Sequence, residues 1–125
     1  MKLIKVLSDK IKDELCDAKE YVTMAIEYKD EYPELSRTLY NISTQEMEHM
    51  NMLHNEVTVI IQKWRATNGE PPADMLAVYD YLHKEQIDKS LEVKMLQTMY
   101  KESWWQVSCH KSGHENRETL INTGF

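Results

Sequence analysis

An all-α protein of three long helices, packed antiparallel in an up-down-up bundle, is the fold class this sequence predicts. Three observations carry it: glycine and proline are scarce, they gather at a few junctions, and apolar residues recur at alternating steps of three and four. The 125 residues include three Gly and three Pro, too little turn material for many short elements. That length suits one domain with one sizeable core. With 42% hydrophobic and 29% charged residues, the balance is that of a globular chain.

The junctions divide the chain in order. Lys29-Asp30-Glu31-Tyr32-Pro33 and Thr67-Asn68-Gly69-Glu70-Pro71-Pro72 are the first two, and the third lies around Ser112-Gly113. Proline suits the first turn of a helix, where its missing N–H would be unpaired anyway, and glycine suits the end of one. Helices are therefore expected over about residues 3–29, 33–66 and 72–102. The first carries Ile4, Leu7, Ile11, Glu14, Ala18, Tyr21, Ala25 and Tyr28 on one face, because steps of three and four return to the same side of a helix. The second repeats the pattern with Leu35, Leu39, Ile42, Glu46, His49, Leu53, Val57, Ile60 and Trp64. The third offers two competing stripes. Leu76, Tyr79, His83, Ile87 and Leu91 resemble ordinary core, while Tyr81, Glu85, Asp88, Glu92, Met95 and Met99 form a mixed alternative. A domain over residues 1–103 and a tail over 104–125 is the expected division.

The net charge of −6 argues against a general electrostatic hold on nucleic acid or anionic lipid, which needs clustered Lys and Arg. Cations are more natural partners. The opening Met1-Lys-Leu-Ile-Lys-Val-Leu-Ser-Asp is too short an apolar stretch for a signal peptide, and no run approaches the ~20 apolar residues of a membrane span. Cys16 and Cys109 form neither a C-x-x-C nor a disulfide framework, so ordinary free thiols in a reducing, cytoplasmic setting are expected.

Three polar residues interrupt the apolar stripes. Glu14 is the one charged member of its stripe, and Glu46 and His49 are neighbours one turn apart on theirs. Folding the first helix onto the second about residues 30–32 puts position 14 opposite positions 46–50, so all three are expected at one height. Burying carboxylates without compensation is costly, whereas a cation supplies charge and accepts oxygen and imidazole ligands. A carboxylate-rich set with a minority of imidazole suits iron, or manganese, better than thiolate-bound structural zinc. Folding the third helix back about residue 69 sets Glu92 level with Glu46, a reserve ligand.

Glu14 with Tyr21 seven residues later, followed by Gln45-Glu46-Met47-Glu48-His49, resembles the first helical hairpin of rubrerythrins and other ferritin-like proteins over roughly residues 10–55. The resemblance implies metal-ligand, and so catalytic, roles for Glu14, Glu46 and His49, and a supporting role for Tyr21. Di-iron bundles of this kind use a Glu from each of two helices and a Glu-x-x-His from each of two others. This chain has one of each. The junction at residues 68–72 is too short to cross a bundle, and neither His110 nor His114 has Glu three residues before it. A homodimer, or a higher homo-oligomer, would supply the second half and complete a four-helix bundle around two iron ions. In that respect the chain resembles encapsulated ferritins, whose shortened chains build a ferroxidase centre between subunits. That likeness implies Fe(II) oxidation or iron and peroxide handling, and a shell protein as a further partner.

Plainer readings stand beside these. Glu and His in a core also form hydrogen-bond networks that fix register, in which case the chain is a non-catalytic helical assembly module. Tyr21 reads as simple core, and Met47, Met50 and Met52 as flexible packing. Glu48 and His54 face away from the Glu46 stripe, toward solvent. Trp104 and Trp105 are expected at a subunit interface, and Cys109, His110 and His114 form a weak soft-metal cluster.

Overall fold

A computed structural model describes the backbone of residues 2–110 and the side chains of residues 2–104. Three helices follow one another: α1 (Lys2–Tyr28), α2 (Pro33–Asn68) and α3 (Ala73–His110). Consecutive helices run antiparallel; α1 is central and packs against both others, while the backbones of α2 and α3 stay apart and meet mainly through long side chains. None of the described helices is long and apolar enough to cross a membrane.

The junctions behave as their residues require. Pro33 opens α2 and the amide of Ser36 bonds to the Tyr32 carbonyl, so the proline's missing donor costs no helical bond. Gly69 ends α2 with φ of 77° while its N–H reaches the Arg65 carbonyl at 2.8 Å. That left-handed φ is strained for residues with a Cβ.

The core is built on one face of α1: Ile4, Ile11, Leu15, Ala18, Val22 and Ala25 are all buried. Two clusters grow from it. One joins Ile11, Leu15 and Ala18 to Met47 and Met50 of α2 and Val93 of α3. The other joins Val22 and Ala25 to Leu39, Tyr40, Tyr100 and Trp104.

Between α1 and α2 the contact is small and polar in a regular way. Ser43 Oγ donates to the Ala18 carbonyl at 2.6 Å and Ser36 Oγ donates to the Ala25 carbonyl at 2.5 Å. All four residues have no exposed surface, so Ala and Ser let the backbones approach where larger side chains would hold them apart. The two bonds are seven residues apart on each helix, two full turns. They therefore pin one register rather than two independent points. Gln97 Nε2 of α3 donates to the same Ser43 Oγ at 3.0 Å, and Ser36 Oγ forms a second hydrogen bond with the Tyr100 hydroxyl at 3.1 Å.

The third helix departs from expectation in two ways. It continues past residue 102 to His110, and its contact face is neither apolar stripe. Val93, Tyr100 and Trp104 make the buried contacts, while Ile87 is 45% and Leu91 59% exposed. The contact face also carries half-buried Gln86, Lys89 and Gln97, and these polar residues hid it from a search for apolar spacing. Trp104, expected at a subunit interface, is instead buried within the chain, edge-on to Tyr100 at 6.1 Å between ring centres. The side chains of Trp105 and of the Cys109, His110 and His114 cluster lie outside the described residues.

Replacing Ser43 by Ala should lower the unfolding free energy by about 1 kcal/mol, since Gln97 loses its acceptor and Ala18 its accessory donor. Replacing it by Leu should cost about 1–3 kcal/mol through overpacking. Urea denaturation of the two variants checks the order; equal stability of Ser43→Leu and the parent chain would show that close approach is unimportant.

Candidate metal centre

The serine-pinned register decides what faces what. Moving four residues from Ala18 toward the start of α1, and four along α2 from Ser43, brings Glu14 level with Met47 and beside Glu46. Leu15 and Met47 turn into the core that includes Val93 of α3. At 100° per residue, Glu14 and Glu46, each one position earlier, sit on the flank of the α1–α2 pair away from that core. His49, three residues on from Glu46, shares the same flank.

Glu14, Glu46 and His49 converge there, each offering one ligand atom within 4.8 Å of the others. His49 Nδ1 lies 3.7 Å from Glu14 Oε2 and 3.6 Å from Glu46 Oε1. The side chains of the acids are recessed, 25% exposed for Glu14 and 18% for Glu46, while that of His49 is 54% exposed. An ion arriving from solvent thus meets the imidazole at the rim before the carboxylates behind it.

The electrostatics of the pair are those of two acids too close to ionise together. Glu46 is raised from 4.5 to about 7, first by its hydrogen bond with Glu14, then by burial and the Glu14 charge, with Asp17 adding to the rise and His49 opposing it. Glu46 thus keeps its proton in a range where ordinary carboxylates are charged. Glu14 Oε2 is buried and accepts no hydrogen bond. A buried carboxylate oxygen without a donor is costly, and a cation among the three side chains would satisfy it. The donor set of two carboxylates and an imidazole therefore fits a hard to borderline divalent metal.

Glu92 is placed elsewhere. Its carboxylate pairs with Lys19 Nζ at 2.6 Å, and Lys19, five residues beyond Glu14, points from a different side of α1. Tyr21 is half-buried against the Tyr40–Tyr100 cluster, a core position. Met47 and Met50 pack in the core as expected, but Met52 is 65% exposed.

His54 departs from its expected solvated position. It is half-buried and its ring stacks on that of His83 from α3, with centroids 5.1 Å apart. Both line a cavity of about 330 Å³ between α2, α3 and the start of α1. The signal was available in the sequence, because folding α3 onto α2 about residue 69 sets position 54 level with 84.

The chain matches no protein-family model, no curated protein and no solved structure. The observations define a three-helix, all-α, antiparallel domain carrying a Glu/Glu/His group able to hold a metal ion.

The proton held by Glu46 gives a pH signature. Because the folded-state value of Glu46 is raised, the folded chain holds a proton that the unfolded chain has released, so this contribution is complete below pH 4.5 and declines as pH rises through about 7. Metal-free protein should therefore lose stability between about pH 4.5 and 7, and Glu46→Gln, which keeps a donor toward Glu14, should flatten the dependence. Urea midpoints across that range measure it; an identical pH slope in Glu46→Gln would remove Glu46 as the source.

Proposed function

We propose that this chain is one half of a two-metal, carboxylate-rich centre completed by a second copy of itself, and that the centre acts on iron. The convergence of Glu14, Glu46 and His49 around a buried, undonated carboxylate oxygen carries the reading. One chain offers three ligands, and a two-fold partner would double them to four carboxylates and two imidazoles, the set found in di-iron helical bundles.

The surroundings suit such a partner. Apolar side chains accompany the three ligands on the same flank: Leu3 and Leu35 are 53% and 46% exposed, and Leu7, Ile42, Leu53, Ile60 and Trp64 are half-buried. A polar centre within an apolar flank is the composition of an interface core. When bound, iron would supply electron transfer from Fe(II) to dioxygen or peroxide. The chain's own part is to hold and shield: Glu14 and Glu46 bring negative charge, His49 admits and orients the ion, and Glu46 gives up its proton as a cation enters.

A second reading has its own support. A protonated Glu46 bonded to Glu14 is a polar pair that offsets part of its own burial without metal, and such a pair can specify register in a non-catalytic assembly module. Loading with Fe(II) without oxygen, followed by elemental analysis and exposure to air, separates the two. The metal reading expects about two iron ions per pair of chains and loss of both iron and oxidation rate in Glu46→Ala; a parent chain that retains no iron would leave the assembly module.

Sedimentation tests the second half of the reading. Iron-loaded protein should sediment as a dimer or larger at micromolar concentration. A monomer that binds two ions tightly would require ligands from elsewhere in the chain.

A further inference from the structure

Away from the carboxylate flank, the gap between α2 and α3 holds a second pair of metal-competent side chains. Toward the Trp104 end, α2 and α3 are joined by the Tyr40–Tyr100 stack at 4.6 Å and by the Ser36–Tyr100 and Ser43–Gln97 hydrogen bonds. Toward the Gly69 junction the helices stand apart, and the cavity of about 330 Å³ opens between them. His54 from α2 and His83 from α3 meet across this gap, with ring planes 22° from parallel and centroids 5.1 Å apart. The pair also lines a neighbouring cavity of about 210 Å³, so both cavities give access to it.

Among the described residues, neither imidazole takes part in a hydrogen bond or ion pair. Two imidazoles thus line a cavity without a hydrogen-bond or ion-pair partner among the described residues. Two imidazoles brought together from different helices can chelate one cation, and a metal–nitrogen bond of about 2.0–2.1 Å requires only that the rings tilt their nitrogen edges toward each other. The open cavity leaves room for waters to complete the coordination.

We propose that His54 and His83 form a second metal site, one that takes a borderline divalent cation such as Zn(II) or Cu(II) and clasps α2 to α3. Its chemistry differs from that of the carboxylate flank. Nitrogen ligands without carboxylates favour Cu(II) and Zn(II) over Fe(II) and Mn(II), following the general order of divalent affinities. Its consequence also differs, since a cation held between α2 and α3 where their backbones stand apart stabilises the folded chain by mass action.

The test uses full-length protein in which Glu14, Glu46 and His49 are each replaced by Gln, and Cys109, His110 and His114 by Ser, Asn and Asn, so that neither the carboxylate flank nor the tail contributes. Zn(II) is titrated by calorimetry, and Cu(II) is followed by electron paramagnetic resonance. One ion should bind per chain, raise the melting temperature, and show two nitrogen couplings for Cu(II). His54→Gln and His83→Gln should each weaken Zn(II) binding by more than about tenfold, which is 1.4 kcal/mol, abolish the melting shift, and leave one nitrogen coupling. Circular dichroism of the metal-free variants confirms that the helices are retained. Binding that survives either substitution unchanged, or an absence of binding in the parent, overturns the proposal. Neither result bears on the iron reading, because Glu14, Glu46 and His49 are already replaced.

Discussion

Two hydroxyls set the geometry of this molecule. Ser43 and Ser36 reach across from α2 to carbonyls of Ala18 and Ala25 on α1, and the spacing of seven on both sides makes the pair a ruler. Apolar packing alone is tolerant of sliding, because one Leu or Met substitutes for another along a face. A buried hydroxyl is not tolerant, since a slide of one residue would leave it without its acceptor. The position of Glu14 beside Glu46 is inherited from that ruler. So is the contact with α3, because Ser43 and Ser36 are also the atoms to which Gln97 and Tyr100 bond.

The same register imposes an electrostatic cost. Two carboxyls at one height on adjacent helices repel, and burial compounds the effect, so Glu46 keeps its proton to about pH 7. The Glu14 oxygen without a donor shows that the proton does not resolve everything. Sites of this character are where local stability is surrendered, and perturbed acids in a recess are the usual mark of a working site. The fold tolerates the strain because the surrounding residues of α1 pack so completely: Ile11 and Leu15, on either side of Glu14, are each 1% exposed.

The fold was legible in the sequence to the extent that single helices announce themselves. Pro33 and Gly69 punctuate the chain where the structure turns, and the α1 stripe marks the side on which its core lies, but on α2 the buried face is turned about one position from the apolar stripe and runs through Ser36, Tyr40, Ser43, Met47 and Met50. Antiparallel folding about a short junction then set Glu14, Glu46 and His49 at one height, since height follows from rise per residue alone. What was hidden is the third helix. Its contact face mixes Val93 and Tyr100 with Lys89 and Gln97, and its exposed side keeps Ile87, Leu91 and Met95. Polarity ceases to report burial when long side chains lie along an interface with their charged ends in water. The Ser43 and Ser36 ruler was hidden for a different reason: a serine in a helix is common, and only the carbonyl opposite gives it meaning.

The unequal lengths of the helices have a consequence for motion. With Ala18 level with Ser43, the start of α1 at Lys2 is level with residue 59, yet α2 continues to Asn68. The last nine residues of α2 therefore overhang α1 by about 13 Å at 1.5 Å per residue. Along that overhang α2 and the start of α3 form a two-helix prong that, among the described residues, has no third helix behind it. Fluctuations should grade along the molecule, fastest at the prong and slowest around Tyr100, where three helices and two hydroxyl bonds meet. The Glu14 group lies partway along that gradient, close to the rigid end in register but facing outward, a position from which it can keep its geometry while its surroundings breathe.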